Sequence, residues 1–302
     1  MQENKIQVNQ KVTAYVYGST IEFSANNANT RRTIVVLPEH KYLDLRTMKV
    51  HKMNTGSSSR VDNLSSVKRT MQQLRRLIAA NYQGGDDQLW VTLTYAHNVS
   101  ARNQGDTKVV YRDFKVFIQR LRQCIMRIEY ISVLEPQLSG RWHIHVLLKS
   151  SDGSQLVIPN SQMAKLWRKG FTSTKRLSEA DNVASYVMAY VSNLKTTKGM
   201  KKGARLRLYP KGVRIYRRSR GIVTPIKILA NKAEIMAQYN IRESDKRAYY
   251  ERSFIAKNGS EVVTQTEFFN KKEVAYDVKS NSNKERVGSN GISTQSSEEN
   301  PT

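Results

Sequence analysis

The chain has 302 residues, and its 50 Lys and Arg outnumber its 25 Asp and Glu, so the formal net charge is +25. Such a basic protein is attracted to polyanions, which makes nucleic acid the favoured partner. No stretch approaches roughly 18 consecutive apolar residues, so no membrane span is predicted, and the single cysteine, Cys124, excludes an internal disulfide and a multi-cysteine zinc site. A cytoplasmic location is therefore predicted.

The first part of the chain is predicted to consist of short strands, loops and one helix. Residues 33–37 form the most strand-like segment of the first 60. Apolar residues recur at helical spacing over residues 64–82, which predicts a helix there. The sequence Gln-Gly-Gly-Asp-Asp at residues 83–87 ends it.

The next hundred residues carry a β-α-β-β-α-β pattern, which predicts an α+β fold of the ferredoxin-like (RRM-like) kind. We expect an antiparallel sheet with helices packed on one face and with the first and third strands as central neighbours. A further helix is predicted over residues 180–195. The predicted elements of the pattern are strand 88–95, helix 109–128, strands 129–135 and 141–149, helix 159–168 and strand 170–176.

The predicted organisation has four parts. An N-terminal β/loop extension covers residues 1–60, and the α+β domain covers residues 61–225. A C-terminal accessory segment follows at 226–277. Residues 278–302 are rich in Ser, Asn, Gly and Glu with few aliphatic residues, which predicts a disordered tail.

The segment Gly-Arg-Trp-His-Ile-His-Val-Leu-Leu at residues 140–148 predicts a metal site. Side chains alternate between the two faces of a strand, so His143 and His145 share one face while the intervening apolar residues share the other. Two imidazoles placed in this way can bind one metal ion. The alternative is a pair of histidines on a solvated sheet face.

Glu135 is the candidate for a third ligand. If residues 136–140 form a five-residue hairpin loop, Glu135 lies opposite Arg141 and on the face of both histidines. It is then a diagonal neighbour of His143, roughly 7–8 Å away between Cα atoms. A four-residue loop would place Glu135 on the other face, where it is an ordinary surface carboxylate.

Two tyrosines in the last predicted helix are candidate nucleophiles. Tyr186 and Tyr190 stand four residues apart and therefore lie on one side of a helix. Either could simply extend the core. A phenolate can also displace an alkoxide from a phosphodiester and form a phosphotyrosine. Because the reference pKa of Tyr is about 10, this reaction needs help from a cation or a base.

A one-signed stretch follows the tyrosines. Residues 182–233 contain thirteen Lys or Arg and no acidic residue. A solvated surface normally mixes both signs of charge, so this composition favours contacts with phosphate. Arg217, Arg218 and Arg220 are the candidate DNA-binding residues within it. The alternative is a flexible basic loop without a specific role.

These motifs resemble those of the HUH endonucleases, in particular the rolling-circle replication initiators of plasmids and bacteriophages. The sequence WVTLTY at residues 90–95 resembles their first motif, and His-Ile-His at residues 143–145 resembles their metal motif. The sequence ASYVMAY at 184–190 resembles their tyrosine motif, and RRSRGI at 217–222 resembles a stretch found downstream. The resemblance covers about residues 64–222.

There is one departure from the family pattern. Members often have a lysine three residues after a catalytic tyrosine, but Ala189 and Asn193 stand at that distance here. Lys195 is the nearest substitute, so the pattern leaves open which lysine assists and which tyrosine cuts first.

The resemblance implies a metal-dependent DNA endonuclease and strand transferase. It implies Mg²⁺ or Mn²⁺ at His143, His145 and Glu135, and a single-stranded or hairpin origin DNA as substrate. A tyrosine then nicks one strand and keeps the 5′ end, while a host DNA polymerase extends the free 3′-OH. The chain has no GxxxxGK[ST] sequence, so a separate host helicase is implied.

Three rival functions remain open. A conjugative relaxase or a single-strand transposase would act on a transfer origin or on element ends. A non-catalytic protein on the same fold would bind nucleic acid without a covalent adduct. A non-haem iron enzyme that uses two His and one Glu is poorly matched by the net charge of +25.

Overall fold

The computed structural model describes residues 6–27, 34–53, 55–56, 64–97, 106–137, 141–177, 183–191, 208–255 and 261–270. The predicted tail at 278–302 lies outside this part of the chain. Among the described residues are thirteen strands and five α-helices. The strands are β1 (Lys11–Tyr17), β2 (Thr20–Asn26), β3 (Ile34–Leu37), β4 (Lys41–Asp44), β5 (Lys49–Lys52), β6 (Gln88–Thr94), β7 (Ile128–Pro136), β8 (Trp142–Ser150), β9 (Thr172–Arg176), β10 (Tyr216–Arg218), β11 (Ile226–Asn231), β12 (Lys246–Ile255) and β13 (Glu261–Asn270).

The helices are α1 (Leu64–Asn81), α2 (Thr107–Cys124), α3 (Asn160–Trp167), α4 (Val183–Val191) and α5 (Lys232–Gln238). No helix within the described ranges is both long enough and apolar enough to cross a membrane.

The central sheet has the strand order β10-β7-β8-β6-β9, and all its neighbours are antiparallel. Strands β6 to β9, with α2 and α3 between them, form the predicted β-α-β-β-α-β unit. Its first and third strands, β6 and β8, are neighbours, which confirms the predicted α+β fold. The short strand β10 adds a fifth strand beside β7 that the sequence pattern did not predict.

Helices α2 and α3 share one face of the central sheet, as predicted. Phe114 of α2 packs edge-on against Tyr130 of β7, with 5.3 Å between the ring centroids. Phe117 of α2 contacts Trp167 of α3 with 6.1 Å between the centroids. The aromatic residues of α2 therefore anchor both helices to the same surface.

Helix α1 lies on the opposite face, so the prediction that all helices pack on one face is wrong for α1. The Lys149 ammonium, on the histidine side of β8, donates to the Asn81 carbonyl at the end of α1 over 3.4 Å. Leu147 points to this second face and is only 2% exposed. Because β8 carries apolar residues on both faces, each face needs a covering layer.

Helix α2 ends four residues before its predicted end at residue 128. Ile125 has an extended backbone, with φ −140° and ψ 96°, and forms the C-terminal cap. Ile128 already begins β7. Both residues continue the helical spacing of apolar side chains, so the pattern alone does not mark the end of the helix.

A terminal sheet joins the two ends of the chain in the strand order β11-β1-β2-β13-β12. Strands β2 and β13 pair from Thr20 opposite Asn270 to Asn26 opposite Thr264. The predicted N-terminal extension and C-terminal accessory segment therefore meet in one antiparallel sheet. Strands β3, β4 and β5 form a separate small sheet.

A buried ammonium fastens α5 to the terminal sheet. Lys232 is fully buried, and its Nζ lies 2.7 Å from a Glu267 carboxylate oxygen and 2.6 Å from one of Glu243. It also donates to the Ile6 carbonyl over 3.0 Å. A buried charge is tolerated only when it is paired and hydrogen-bonded in this way.

A second ion cluster joins the terminal sheet to α1. Glu22 of β2 is 3% exposed, and its two carboxylate oxygens each lie 2.7 Å from a guanidinium nitrogen, one of Arg75 and one of Arg76. The Tyr17 hydroxyl donates to the same carboxylate over 2.8 Å. Burial raises the pKa of Glu22, but the hydrogen bond from Arg76 and the charges of both arginines outweigh it and hold the pKa below its ordinary value.

We expect Glu22→Gln to lower the free energy of unfolding by about 3 kcal/mol at neutral pH, because it leaves two partly buried guanidinium groups without a counter-charge. Since the folded-state pKa lies below the ordinary 4.5, the carboxylate contributes fully above that pH and loses its contribution as the pH falls further. Urea titrations should therefore show the gap between wild type and variant closing below about pH 4.5. Glu39→Gln, on an exposed pair with Lys41, is the control. An equal loss in both variants, or a gap that does not depend on pH, would contradict this assignment.

Candidate metal centre

Three side chains meet where β7 and β8 approach their connecting turn. One ligand atom from each of Glu135, His143 and His145 lies within 4.8 Å of the other two. His145 Nε2 is 2.6 Å from a Glu135 carboxylate oxygen. Glu135 and His145 are buried, whereas His143 is partly exposed. This donor set of two imidazole nitrogens and one carboxylate can hold a divalent cation.

The strand register corrects the predicted hairpin. Glu135 lies directly opposite His143, not opposite Arg141. The Gln137 amide donates to the Arg141 carbonyl over 2.7 Å, so the ladder runs two residues further than predicted. A shift of two residues preserves the parity of the strand, and the predicted shared face is therefore correct. Direct opposition also brings the two residues closer than the predicted diagonal placement.

Two residues that the sequence did not single out contact the imidazoles. The Thr92 hydroxyl, on β6 opposite His145, lies 3.2 Å from His145 Nδ1. The Gln137 side-chain amide lies 3.1 Å from His143 Nδ1. In the tautomer whose Nδ1–H donates to Thr92, His145 Nε2 keeps its lone pair on the side of Glu135. Such contacts orient metal-binding imidazoles, and strand parity in β6 is the signal that identifies Thr92.

The centre has one apolar side and one charged side. The ring of Trp90, which is 5% exposed, lies 5.9 Å from the His145 ring. At the exposed rim an Arg141 guanidinium nitrogen lies 3.3 Å from His97 Nε2. The arrangement places a cationic group beside the accessible histidine, where an anionic ligand would enter.

The tyrosine pair belongs to α4. Tyr186 and Tyr190 stand one turn apart in this helix, which corresponds to a rise of about 6 Å. Val183 and Val187 of the same helix are buried in the core, and α4 packs against α1. The side chains of both tyrosines and the whole of Lys195 lie outside the described part of the chain.

The predicted DNA-binding arginines surround the added edge strand β10. Arg217, Arg218 and Arg220 are exposed. The Arg217 guanidinium carbon lies 3.7 Å from the centroid of the Tyr111 ring. Arg217 and Arg218 line a cleft of about 480 Å³ together with Tyr130 and other residues of α1 and β10. Residues 192–207 of the predicted basic stretch lie outside the described part of the chain.

Comparison with known proteins gives one similarity. The family model for replication-associated proteins of the ORF2 type matches residues 88–195, which is 108 of the 302 residues. The matched segment runs from β6 through α4 and contains Glu135, both histidines and both tyrosines. No curated protein and no solved structure matched the chain. Over this segment the chain is therefore similar to replication-associated proteins.

Proposed function

We propose that the protein initiates rolling-circle DNA replication by nicking one strand of its origin and remaining attached to the 5′ end. The observation that carries the proposal is the cluster of Glu135, His143 and His145 inside the segment similar to replication-associated proteins. The net charge of +25 supports a nucleic-acid substrate.

In this proposal Glu135, His143 and His145 hold Mg²⁺ or Mn²⁺. The donor set fits, because the carboxylate suits both ions and the two imidazoles add affinity for Mn²⁺. When bound, the cation acts as a Lewis acid on the scissile phosphate. Thr92 and Gln137 keep the imidazoles oriented, as their contacts with the Nδ1 atoms suggest.

The proposed nucleophile is the hydroxyl oxygen of Tyr186. It attacks the scissile phosphorus and forms a phosphotyrosine, while the bond from phosphorus to the 3′ oxygen breaks. The tyrosine proton leaves to solvent or to a base, and the departing 3′ oxygen takes up a proton. We assign Lys195 to assist these proton movements, as the nearest lysine that follows the pair. No high-energy cofactor is consumed, because one phosphodiester replaces another.

The second tyrosine completes the cycle in this proposal. A released strand must be closed by a second transesterification, and Tyr190 stands one helical turn from Tyr186. Tyr190 can cut the regenerated origin while Tyr186 still holds the first 5′ end. The 3′-OH that this second cut frees then attacks the Tyr186 phosphotyrosine and seals the circle.

The substrate and partners follow from this chemistry. The DNA at the centre is single-stranded or extruded as a hairpin, because the scissile phosphate must reach a sheet surface. The freed 3′-OH primes a host DNA polymerase. Strand separation requires a host helicase, since the chain lacks a GxxxxGK[ST] sequence.

The proposal is tested with single-stranded DNA that covers the replicon carrying the gene, labelled at one end or the other, with Mg²⁺ or Mn²⁺. DNA labelled at the 3′ end should move with the protein on a denaturing gel, whereas 5′-labelled DNA should give a shortened free strand. Tight binding without either product would favour the non-catalytic rival. Cleavage only at a transfer origin or at element ends would favour a relaxase or a transposase.

We also propose that Arg217, Arg218 and Arg220 bind phosphate groups of the DNA. Replacing all three by Ala should weaken binding to every sequence and flatten the plot of log affinity against log salt by about two units, at about 0.7 per lost contact with single strands. The charge-matched control replaces three exposed lysines of other sheets, Lys11, Lys49 and Lys52. Equal slopes for the two triple variants would contradict this role.

A further inference from the structure

A second cleft, of about 610 Å³, opens between the terminal sheet and helices α1 and α4. The sheet contributes Tyr250 and Arg252 of β12 and Phe268 of β13. Arg75 of α1 and Ser185 of α4 line the facing wall. None of these residues belongs to the candidate metal centre.

Strand register explains why the cleft is open. Phe268 lies opposite Glu22 on one side and opposite Ala248 on the other, so these residues share the face that α1 contacts through Glu22. Tyr250 and Arg252 follow on that face of β12 by strand alternation. They stand at the edge of the sheet, beyond the contact with α1, and Tyr250 remains 56% exposed.

The charge of the lining is positive. Arg75, Arg247 and Arg252 face a single acidic residue, Glu22. That carboxylate is already bound to Arg75 and to Arg76 behind it. Positive charge therefore remains in the cleft, and a polyanion can enter without meeting an unpaired carboxylate.

The aromatic residues give the cleft a second chemical feature. The Phe268 ring lies 5.1 Å from the Arg75 guanidinium carbon and 5.9 Å from the Tyr250 ring. Exposed rings interleaved with arginines bind successive bases by stacking while the cations track the backbone. A duplex conceals the faces of its bases, so this chemistry selects single strands.

We propose that this cleft is a second nucleic-acid site, which binds single-stranded DNA by stacking on Tyr250 and by ion pairing with Arg252 and Arg247. Ser185 in the wall directly precedes Tyr186 in α4, so a strand held in the cleft runs towards the tyrosine helix. The direction of the strand rests on the proposed nicking function. The binding itself does not.

The test measures fluorescence anisotropy of labelled oligothymidylate of roughly 16 nucleotides, with the full chain in EDTA so that no cleavage can contribute. Tyr250→Ala and Arg252→Ala should each weaken binding at least about fivefold. The controls are Tyr249→Ala, on the other face of the same strand, and Lys227→Ala, on β11 at the opposite edge of the same sheet. Both controls should bind as wild type does.

Two outcomes would overturn the cleft. Wild-type affinity in both cleft variants would exclude stacking and pairing there. Equal losses in Arg252→Ala and Lys227→Ala would show that only net charge matters. Thermal melting followed by circular dichroism confirms that all four variants fold. Because nicking is assayed separately with Mg²⁺ or Mn²⁺, a failed nicking assay leaves the cleft result unaffected, and a failed cleft leaves the nicking result unaffected.

Discussion

Replacing His145 by Ala is expected to abolish cation-dependent nicking, with a fall in rate of roughly a thousandfold or more. Loss of one of three ligands removes the Lewis acid, whose contribution of several kcal/mol corresponds to that factor. The variant should still bind DNA, because the exposed arginines are intact. The measurements are the rate of adduct formation and the affinity for Mn²⁺ by calorimetry.

His145→Ala also leaves Glu135 buried without its partner at 2.6 Å, so part of any loss could reflect instability. His143→Ala separates the two effects, since His143 is partly exposed and should lose activity with little change in thermal stability. His97→Ala is the matched control, because His97 is exposed and lies outside the ligand cluster. Full nicking by His143→Ala in EDTA would exclude the metal mechanism.

Tyr186→Phe is expected to eliminate the covalent DNA adduct, again by roughly a thousandfold or more, because the nucleophilic oxygen is removed. Phe retains the aromatic ring and its packing, so the substitution separates chemistry from core filling. Tyr190→Phe should retain the first nick and lose strand closure. Tyr42→Phe, on the small sheet, is the control for removal of a phenol elsewhere.

The two single variants distinguish the roles of the tyrosines. If Tyr190→Phe loses the first nick and Tyr186→Phe keeps it, the order of the two nucleophiles is reversed while the mechanism stands. A double Phe variant that still forms the adduct at the wild-type rate would show that α4 is only structural.

The candidate metal centre was largely predictable because its signal is local. Strand alternation alone places His143 and His145 on one face, and the structure confirms their proximity. The partner of Glu135 depends on the length of the hairpin connection, which composition does not determine, and the predicted pairing was off by two residues. Thr92 comes from a strand some fifty positions earlier, so only the sheet order reveals its contact with His145.

The same distinction explains the fold. The β-α-β-β-α-β unit follows from periodicities read over short windows, and its strand order is confirmed. The terminal sheet pairs β2 with β13 from opposite ends of the described chain, and no local pattern encodes that partnership. The face covered by α1 was missed because Leu147 and Lys149 continue the histidine face as an apolar and a charged residue, which gives no clear alternation.

The most direct test of the central claim is peptide mapping, by mass spectrometry, of the adduct trapped on single-stranded origin DNA. The account predicts a 5′-phosphotyrosyl linkage on the peptide that contains Tyr186 and Tyr190, formed with Mg²⁺ or Mn²⁺ and absent in EDTA. A linkage on any other residue, or an adduct that forms equally well in EDTA, would contradict it.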